Sequence, residues 1–85
     1  MSWEVRLARH AAHAPRDAPA ADRLRLLTAL HDMEGDPFTG DVRRLRGKVR
    51  SWRRRVGDWR IFFSPDRAAR LVNVAAIVRR SSTTY

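Results

Sequence analysis

The sequence predicts an α+β domain: a small, mainly antiparallel four-stranded sheet with one or two N-terminal helices packed on one face, in the order β-α-(α)-β-β-β. Two observations predict this class. Apolar residues recur at helical spacing only in the first half of the chain, and strand-like patterns occupy the N-terminus and the second half. A run of turn-forming residues from Gly35 to Asp41 separates the two patterns.

The chain is short, so we expect one domain over residues 1–85 with a small core. It contains no cysteine, which fits a reducing, cytoplasmic setting. The sequence has no run of about 18 apolar residues, and its first ten residues lack the apolar core of a secretory signal. We therefore expect neither a membrane-spanning segment nor export.

The first half of the chain predicts a strand followed by helix. Residues 2–9 alternate between apolar and polar side chains, as in a half-buried strand. Between His10 and Pro19, Pro15 allows at best a short or broken helix. The main helix is predicted from Ala20 to Glu34, with Gly35 as its stop. Its apolar side chains are Leu24, Leu26, Leu27, Leu30 and Met33.

The second half predicts strands joined by turns. A turn at Gly57 and Asp58 separates two strands, and a second turn is expected at residues 64–66. The predicted strands are Val42 to Arg46, ended by Gly47, then Val49 to Val56, Trp59 to Ser64, and Arg70 to Arg80.

The positive charge lies in the second half. The formal net charge is +9, and 17 of the 18 basic residues are arginine. Residues 1–42 hold five basic and seven acidic residues, whereas residues 43–85 hold thirteen basic and two acidic ones. A domain polarised in this way attracts polyanions, so a nucleic acid or an acidic protein is the expected partner. An arginine-rich proteome would explain the preference for arginine over lysine but not this asymmetry.

A two-residue turn at Gly57 and Asp58 would fix which side chains share a face. It pairs Arg55 with Arg60 and Arg53 with Phe62, and these four form an arginine face directed away from the helices. Arg54 is the charged exception on the other face, and we expect it near an edge where its guanidinium can reach water. That other face carries Trp52, Arg54, Val56, Trp59, Ile61 and Phe63.

The arginine face places like charges opposite one another, which is locally destabilising. One interpretation is a solvated outer face, since arginine is soluble and tolerated in strands. The functional interpretation is an array of guanidinium groups that binds successive phosphate oxygens.

Other phosphoryl chemistries lack their residues here. A metal-dependent nuclease needs clustered carboxylates, and the second half offers only Asp58 and Asp66, both in turns. His10 and His13 have no evident third ligand, and His31 is expected at the surface. The chain shows no cysteine nucleophile, glycine-rich phosphate loop or nucleophile elbow. We expect no metal or cofactor, which leaves metal-free phosphoryl transfer or binding alone.

Three segments carry a family resemblance. They are DPFTGDVRRLRG at residues 36–47, WRRRVGDWRIFF at 52–63 and VRRSSTTY at 78–85. Together they resemble the RelE/ParE superfamily, the toxins of bacterial toxin-antitoxin modules, and the resemblance covers essentially the whole chain. It implies a RelE-like sheet with helices on one side and a concave active face on the other.

The chain resembles the RelE branch, whose members cleave mRNA in the ribosomal A site by attack of the RNA 2′-hydroxyl, without a metal. The resemblance implies that the catalytic residues are Arg53, Arg55, Arg60, Arg79 and Tyr85. It also implies RNA-binding residues along the basic segments, namely Arg43, Arg44, Arg46, Lys48, Arg50, Phe62 and Arg80.

Two departures from the family pattern bear on mechanism and partner. The mRNA-cleaving toxins have lysine available as a proton acceptor, whereas this chain has Arg53 and Arg55, and a guanidinium stays protonated at neutral pH. Tyr85 could accept the proton if nearby arginines stabilise its phenolate, or it could orient the hydroxyl, which we favour. Pro15 falls within the first helix of the family, which bears on partner fit more than on chemistry.

The resulting prediction is the toxin of a type II toxin-antitoxin system, a ribosome-dependent mRNA endonuclease neutralised by a cognate antitoxin. Its implied partners are that antitoxin, mRNA and the A site of the 70S ribosome; operator DNA would be reached only through the antitoxin, and no membrane is involved. Two alternatives stay open. A ParE-like protein would inhibit DNA gyrase by protein contact, and a non-catalytic module would bind nucleic acid by charge and stacking alone.

Overall fold

The computed structural model describes residues 2–47 and 51–80. Five strands and two helices occur within them, and the strands form one sheet in the order β1-β5-β4-β3-β2. β1 pairs in parallel with β5, and every other neighbouring pair is antiparallel. The elements in chain order are β1 (Glu4–Leu7), α1 (His13–Asp17), α2 (Ala20–Gly35), β2 (Val42–Arg44), β3 (Trp52–Val56), β4 (Trp59–Asp66) and β5 (Leu71–Arg79).

The α+β class is confirmed, but the sheet has five strands instead of four, and four of them follow the helices instead of three. The segments predicted as strands already number five, and one of them is β2, a three-residue edge strand in which Val42 pairs with Arg54 and Arg43 with Arg53. It ends before the predicted limit at Arg46. Such a short strand has little pattern of its own, so its pairing depends on the neighbouring strand β3.

The connection between β4 and β5 lies later than predicted. The turn expected at residues 64–66 is wrong, because β4 continues to Asp66 and residues 67–70 make the connection. Pro65 is tolerated inside β4 since β3 pairs no further than Phe63. Beyond that point β4 has only β5 as a described neighbour, so the missing N–H interrupts no ladder on the other side.

Both predicted helices are present. α1 is short, as Pro15 requires, and α2 extends one residue beyond its predicted end. Two of the apolar residues at helical spacing do not face the core: Leu24 and Leu27 are 68% and 49% exposed. The helix instead buries positions at i, i+3, i+4 and i+7, where alanine supplies one contact, namely Leu26, Ala29, Leu30 and Met33.

The core lies between α2 and one face of the sheet. Burial of each large apolar side chain there contributes roughly 1.5–3 kcal/mol relative to its exposure. From Trp59 to Ser64, β4 alternates between buried and half-buried residues, so its other face is turned away from the helices. The strands supply Trp59, Ile61, Phe63, Val72, Val74 and Ile77 to this core. No helix in the described part of the chain is long and apolar enough to cross a membrane.

Candidate active site

A pocket opens on the face of the sheet opposite the helices. Its volume is about 470 Å³, and we call it the arginine pocket. It lies across β2, β3 and β4, and it contains the whole predicted arginine face. The lining residues are Asp41, Arg43, Leu45, Arg53, Arg55, Arg60 and Phe62.

Strand register brings the pocket side chains together. Arg55 pairs with Arg60 and Arg53 with Phe62, so the predicted hairpin register is confirmed. β2 adds Arg43 opposite Arg53. Because directly opposite residues share a face, all of these side chains project to the same side of the sheet.

The arginine pocket carries a net positive charge, since Asp41 is the one carboxylate among its described lining residues. None of Arg43, Arg53, Arg55 and Arg60 forms an ion pair with a described carboxylate. Four guanidinium groups in one pocket repel one another, so an anion bound among them would relieve that repulsion.

Arg60 also has a hydrogen-bond donor without a partner among the described residues. Its Nε is buried and has no hydrogen-bond partner among the described residues. A buried donor left unpaired costs about 1–3 kcal/mol, and a charged partner that accepts from it recovers that cost. A phosphate oxygen is an acceptor of this kind.

Phe62 is half-buried among the arginine side chains, opposite Arg53. An aromatic ring in a basic pocket offers a surface on which a nucleic-acid base can stack. The pocket therefore combines groups that suit the phosphate with a group that suits the base.

Arg79, which the resemblance implies to be catalytic, lies on the side of the sheet opposite the arginine pocket. It pairs with Trp59, and its Cζ lies 6.0 Å from the centroid of the Trp59 ring. The residue opposite Arg60 is Val78.

A β-bulge explains the placement of Arg79. Phe63 pairs with Val74 while Phe62 pairs with Ala76, so β5 holds one extra residue at Ala75. One extra residue exchanges the two faces for everything that follows it. The sequence carries a trace of this change, because the buried residues Val72, Val74 and Ile77 pass from a spacing of two to a spacing of three.

The remaining predicted site residues lie either away from the arginine pocket or outside the described residues. Arg44 pairs with Trp52 on the helix side of the sheet, and Arg46 is exposed in the turn after β2. Arg80 is exposed just beyond β5, where its N–H donates to the carbonyl oxygen of Asp58 at 2.6 Å. None of these three lines the arginine pocket. Lys48, Arg50 and Tyr85 lie outside the described residues.

Sequence reasoning missed Asp41 and Leu45, which line the pocket beside Arg43. Asp41 belongs to the run of turn-forming residues, whose composition predicts a turn and not a functional side chain. The N–H of Arg55 donates to the carbonyl oxygen of Asp41 at 2.9 Å, which sets Asp41 next to Arg55. The alternation of residues 41, 43 and 45 in the sequence indicates that these side chains share a face. The pairing of β2 with β3 is needed to show which face that is.

Arg54 does not extend to water, contrary to expectation. Its side chain is only 11% exposed, and Nη2 lies 3.8 Å from Oδ2 of Asp32 on α2. The guanidinium also packs against Gly40: a Cβ at that glycine would lie 3.0 Å from Nη2 of Arg54. Arg54 therefore connects α2, β3 and the segment before β2.

No protein-family model matches the sequence, and no curated protein matches it. Solved structures do match the fold. The RelE-RelB complex from Pyrococcus horikoshii aligns with a TM-score of 0.82 at 23% identity, over 98% of this chain and 100% of that one. The toxin-antitoxin complex RelBE2 from Mycobacterium tuberculosis aligns with a TM-score of 0.81 at 17% identity, over 94% of this chain and 100% of that one.

The isolated RelE toxin from E. coli also matches the fold of this chain. Its TM-score is 0.81 at 14% identity, over 96% of this chain and 88% of that one. At these identities the likeness establishes architecture, and it extends over almost the full length of both chains. The chain has the fold of the RelE toxins.

Proposed function

We propose that this chain is the toxin of a toxin-antitoxin pair and that it cleaves mRNA on the ribosome without a metal. The observation that carries the proposal is the arginine pocket. Four arginines without described ion pairs converge on the face of a RelE toxin fold that the helices leave open. A protein without an anionic ligand would gain stability by neutralising such a cluster.

The arginine pocket suits the phosphate at which the RNA would be cleaved, because the negative charge on the oxygens of that phosphate grows during the reaction. Attack of the 2′-hydroxyl on the adjacent phosphorus breaks the bond to O5′ and leaves a 2′,3′-cyclic phosphate and a 5′-hydroxyl. Negative charge accumulates on the phosphoryl oxygens in the transition state. Guanidinium groups already held in place stabilise that charge without reorganisation, and removal of one such donor costs about 10²–10³ in rate.

The proposed roles follow from position. Arg60, with its buried Nε, and Arg55 opposite it would bind the scissile phosphate. Arg53 and Arg43 would bind the neighbouring phosphate, and Phe62 would stack on a base. Tyr85 keeps the proposed role of orienting the hydroxyl. Arg79 has no direct role on the substrate in this proposal, because it faces the helix side.

An antitoxin is the proposed protein partner. The matched structures from P. horikoshii and M. tuberculosis are both complexes of a toxin with its antitoxin. A toxin that cleaves mRNA on ribosomes would act in the cytoplasm and would need such a partner to be tolerated by its host. A net charge of +9 favours an acidic partner surface.

The test is induced expression of the chain without antitoxin, with primer extension on cellular mRNA. The variants are Arg60→Ala, a chain ending at Thr84, and Arg9→Ala as a control that removes the same charge from an exposed position. Cuts within A-site codons in wild type and Arg9→Ala, lost in Arg60→Ala, would support the proposal. Growth arrest with intact mRNA would overturn it in favour of a gyrase-type target, and the absence of arrest would overturn it in favour of a binding module.

A further inference from the structure

The proposed reaction needs a group that accepts the proton of the 2′-hydroxyl. The arginines of the pocket cannot do so, because a guanidinium stays protonated at neutral pH. Among the residues that line the pocket, the remaining ionisable side chain is Asp41. A carboxylate is a common general base, provided that it lies within reach of the proton and is not committed to another partner.

The backbone fixes Asp41 at the edge of the pocket. It immediately precedes β2, and its carbonyl oxygen accepts a hydrogen bond from the N–H of Arg55 at 2.9 Å. Val42 pairs with Arg54 and packs against the core, so the residues on either side of Val42 face the other way. Asp41 and Arg43 are those residues, and both line the pocket.

The carboxylate of Asp41 is uncommitted among the described residues. It forms no ion pair with any of them, although four arginines share its pocket. The residue is also exposed, so a substrate can reach it. By contrast, the exposed Asp36 and Asp66 accept hydrogen bonds from backbone N–H groups in their own turns.

We propose that Asp41 is the general base of the cleavage reaction, an inference that rests on the proposed nuclease function. The proton of the 2′-hydroxyl passes to the Asp41 carboxylate as the bond between O2′ and phosphorus forms. The bond between phosphorus and O5′ breaks with its electron pair on O5′, which takes a proton from water. Asp41 then returns its proton to solvent. The products are the cyclic phosphate and the free 5′-hydroxyl.

Asp41 could act as a general base, or it could only weaken the field of the arginines. These two roles predict opposite effects of its removal on the cleavage rate. Loss of the negative charge at position 41 makes the pocket more positive, so phosphate binding should be equal or tighter. If Asp41 only weakened the field of the arginines, its removal would speed cleavage. If Asp41 is the base, removal slows cleavage by about 10²–10⁴-fold while binding is retained.

The experiment measures single-turnover cleavage of mRNA on ribosomes programmed with a defined A-site codon, using the purified full chain. Asp41→Asn should be slower by about 100-fold or more, with ribosome binding at least as tight as wild type. Asp17→Asn makes the same change of charge on α1, across the sheet from the pocket, and should cleave at the wild-type rate. Asp41→Glu should restore part of the rate lost in Asp41→Asn.

A second measurement separates a base from a positioning residue. Cleavage by Asp41→Ala is followed in sodium formate, acetate or chloride at equal ionic strength. A missing base is replaced by the added carboxylate, and acetate, the stronger base, should restore more rate than formate, with chloride without effect. A positioning role predicts no dependence on the basicity of the anion.

Failure of the base assignment is distinguishable from failure of the proposed function. If wild type cleaves and Asp41→Asn cleaves equally fast, Asp41 is not the base and the nuclease stands. If Asp41→Asn loses rate and ribosome binding in parallel, or added carboxylates restore nothing, the assignment is also overturned. If wild type does not cleave on programmed ribosomes, both proposals fall together.

Discussion

Neighbouring arginines of β3 lie in opposite electrostatic environments on the two faces of the sheet. Arg54, on the helix face, is 11% exposed and lies 3.8 Å from Asp32. Arg53 and Arg55, on the other face, form no ion pair with a described residue and face Arg43 and Arg60. The residue type is the same throughout, so the difference comes from the partners that the fold supplies.

This comparison separates an arginine that supports the fold from arginines that are available to a ligand. A charge buried against α2 needs a carboxylate, and the fold provides one. The arginines of the open face have no such carboxylate partner among the described residues, although the Nε of Arg60 is buried as well. Substitutions on the open face should therefore change activity more than stability, and those on the helix face should do the reverse.

The largest expected effect is on the open face. Arg60→Ala should lower the cleavage rate by about 10²–10³-fold, because it removes a preorganised donor from the proposed phosphate site. Its free energy of unfolding, measured by urea denaturation, should be unchanged or higher, since the repulsion with Arg55 is lost.

Arg79→Ala is the matched control for this prediction. It removes the same side chain from the opposite face, where Arg79 lies near Trp59, and it should retain the wild-type cleavage rate. A loss in Arg79→Ala as large as that in Arg60→Ala would show that the face assignment from strand register does not describe the working site.

The second effect is on the helix face. Arg54→Ala should lower the free energy of unfolding by about 1–2 kcal/mol, because it leaves Asp32 unpaired and removes the packing of a half-buried stem. The half-exposed position of Asp32 limits the effect, since solvent screens its charge. Arg54→Met, which keeps much of the stem, should recover part of the loss. Equal stability of wild type and Arg54→Ala would show that the contact with Asp32 contributes nothing.

The third effect tests the segment that Arg54 supports. Gly40 has φ of +85°, and a Cβ there would lie 3.0 Å from Nη2 of Arg54. Gly40→Ala should lower the free energy of unfolding by about 1–2 kcal/mol, from the unfavourable φ and the displaced guanidinium. Gly35→Ala is the control, because nothing lies within 4 Å of a Cβ at that position. Additive effects of Gly40→Ala and Arg54→Ala in the double variant would contradict the proposed contact.

The parts of this site that sequence could predict are those fixed by local geometry. The turn at Gly57 and Asp58 sets the register of β3 against β4, so the positions of Arg53, Arg55 and Arg60 followed from the chain itself. The resemblance to the RelE/ParE superfamily correctly indicated the fold, which the solved structures confirm.

The parts that sequence could not predict depend on contacts between distant segments. Asp41 joins the pocket only because β2 pairs with β3, across a connection that carries no tight-turn signal. Arg79 is displaced to the other face by a single extra residue in β5. The face of Asp41 is decided by the pairing of β2 with β3, and the face of Arg79 by the bulge in β5.

The smallest expected effect concerns the geometry of the guanidinium groups on the open face. Arg53→Lys keeps the charge but loses the two-pronged contact with a phosphate, so cleavage should fall by about tenfold or less. In a chain that lacks the Asp41 carboxylate, a lysine at this position is also a possible proton acceptor, which would raise the rate above that of Asp41→Asn. Combining Arg53→Lys with Asp41→Asn separates the two effects under the single-turnover assay. If lysine restores the rate lost in Asp41→Asn, proton transfer limits the reaction. The base can then be at position 41 or at position 53. If the double variant is slower than Asp41→Asn alone, phosphate contact by Arg53 matters more than the proton acceptor that lysine supplies.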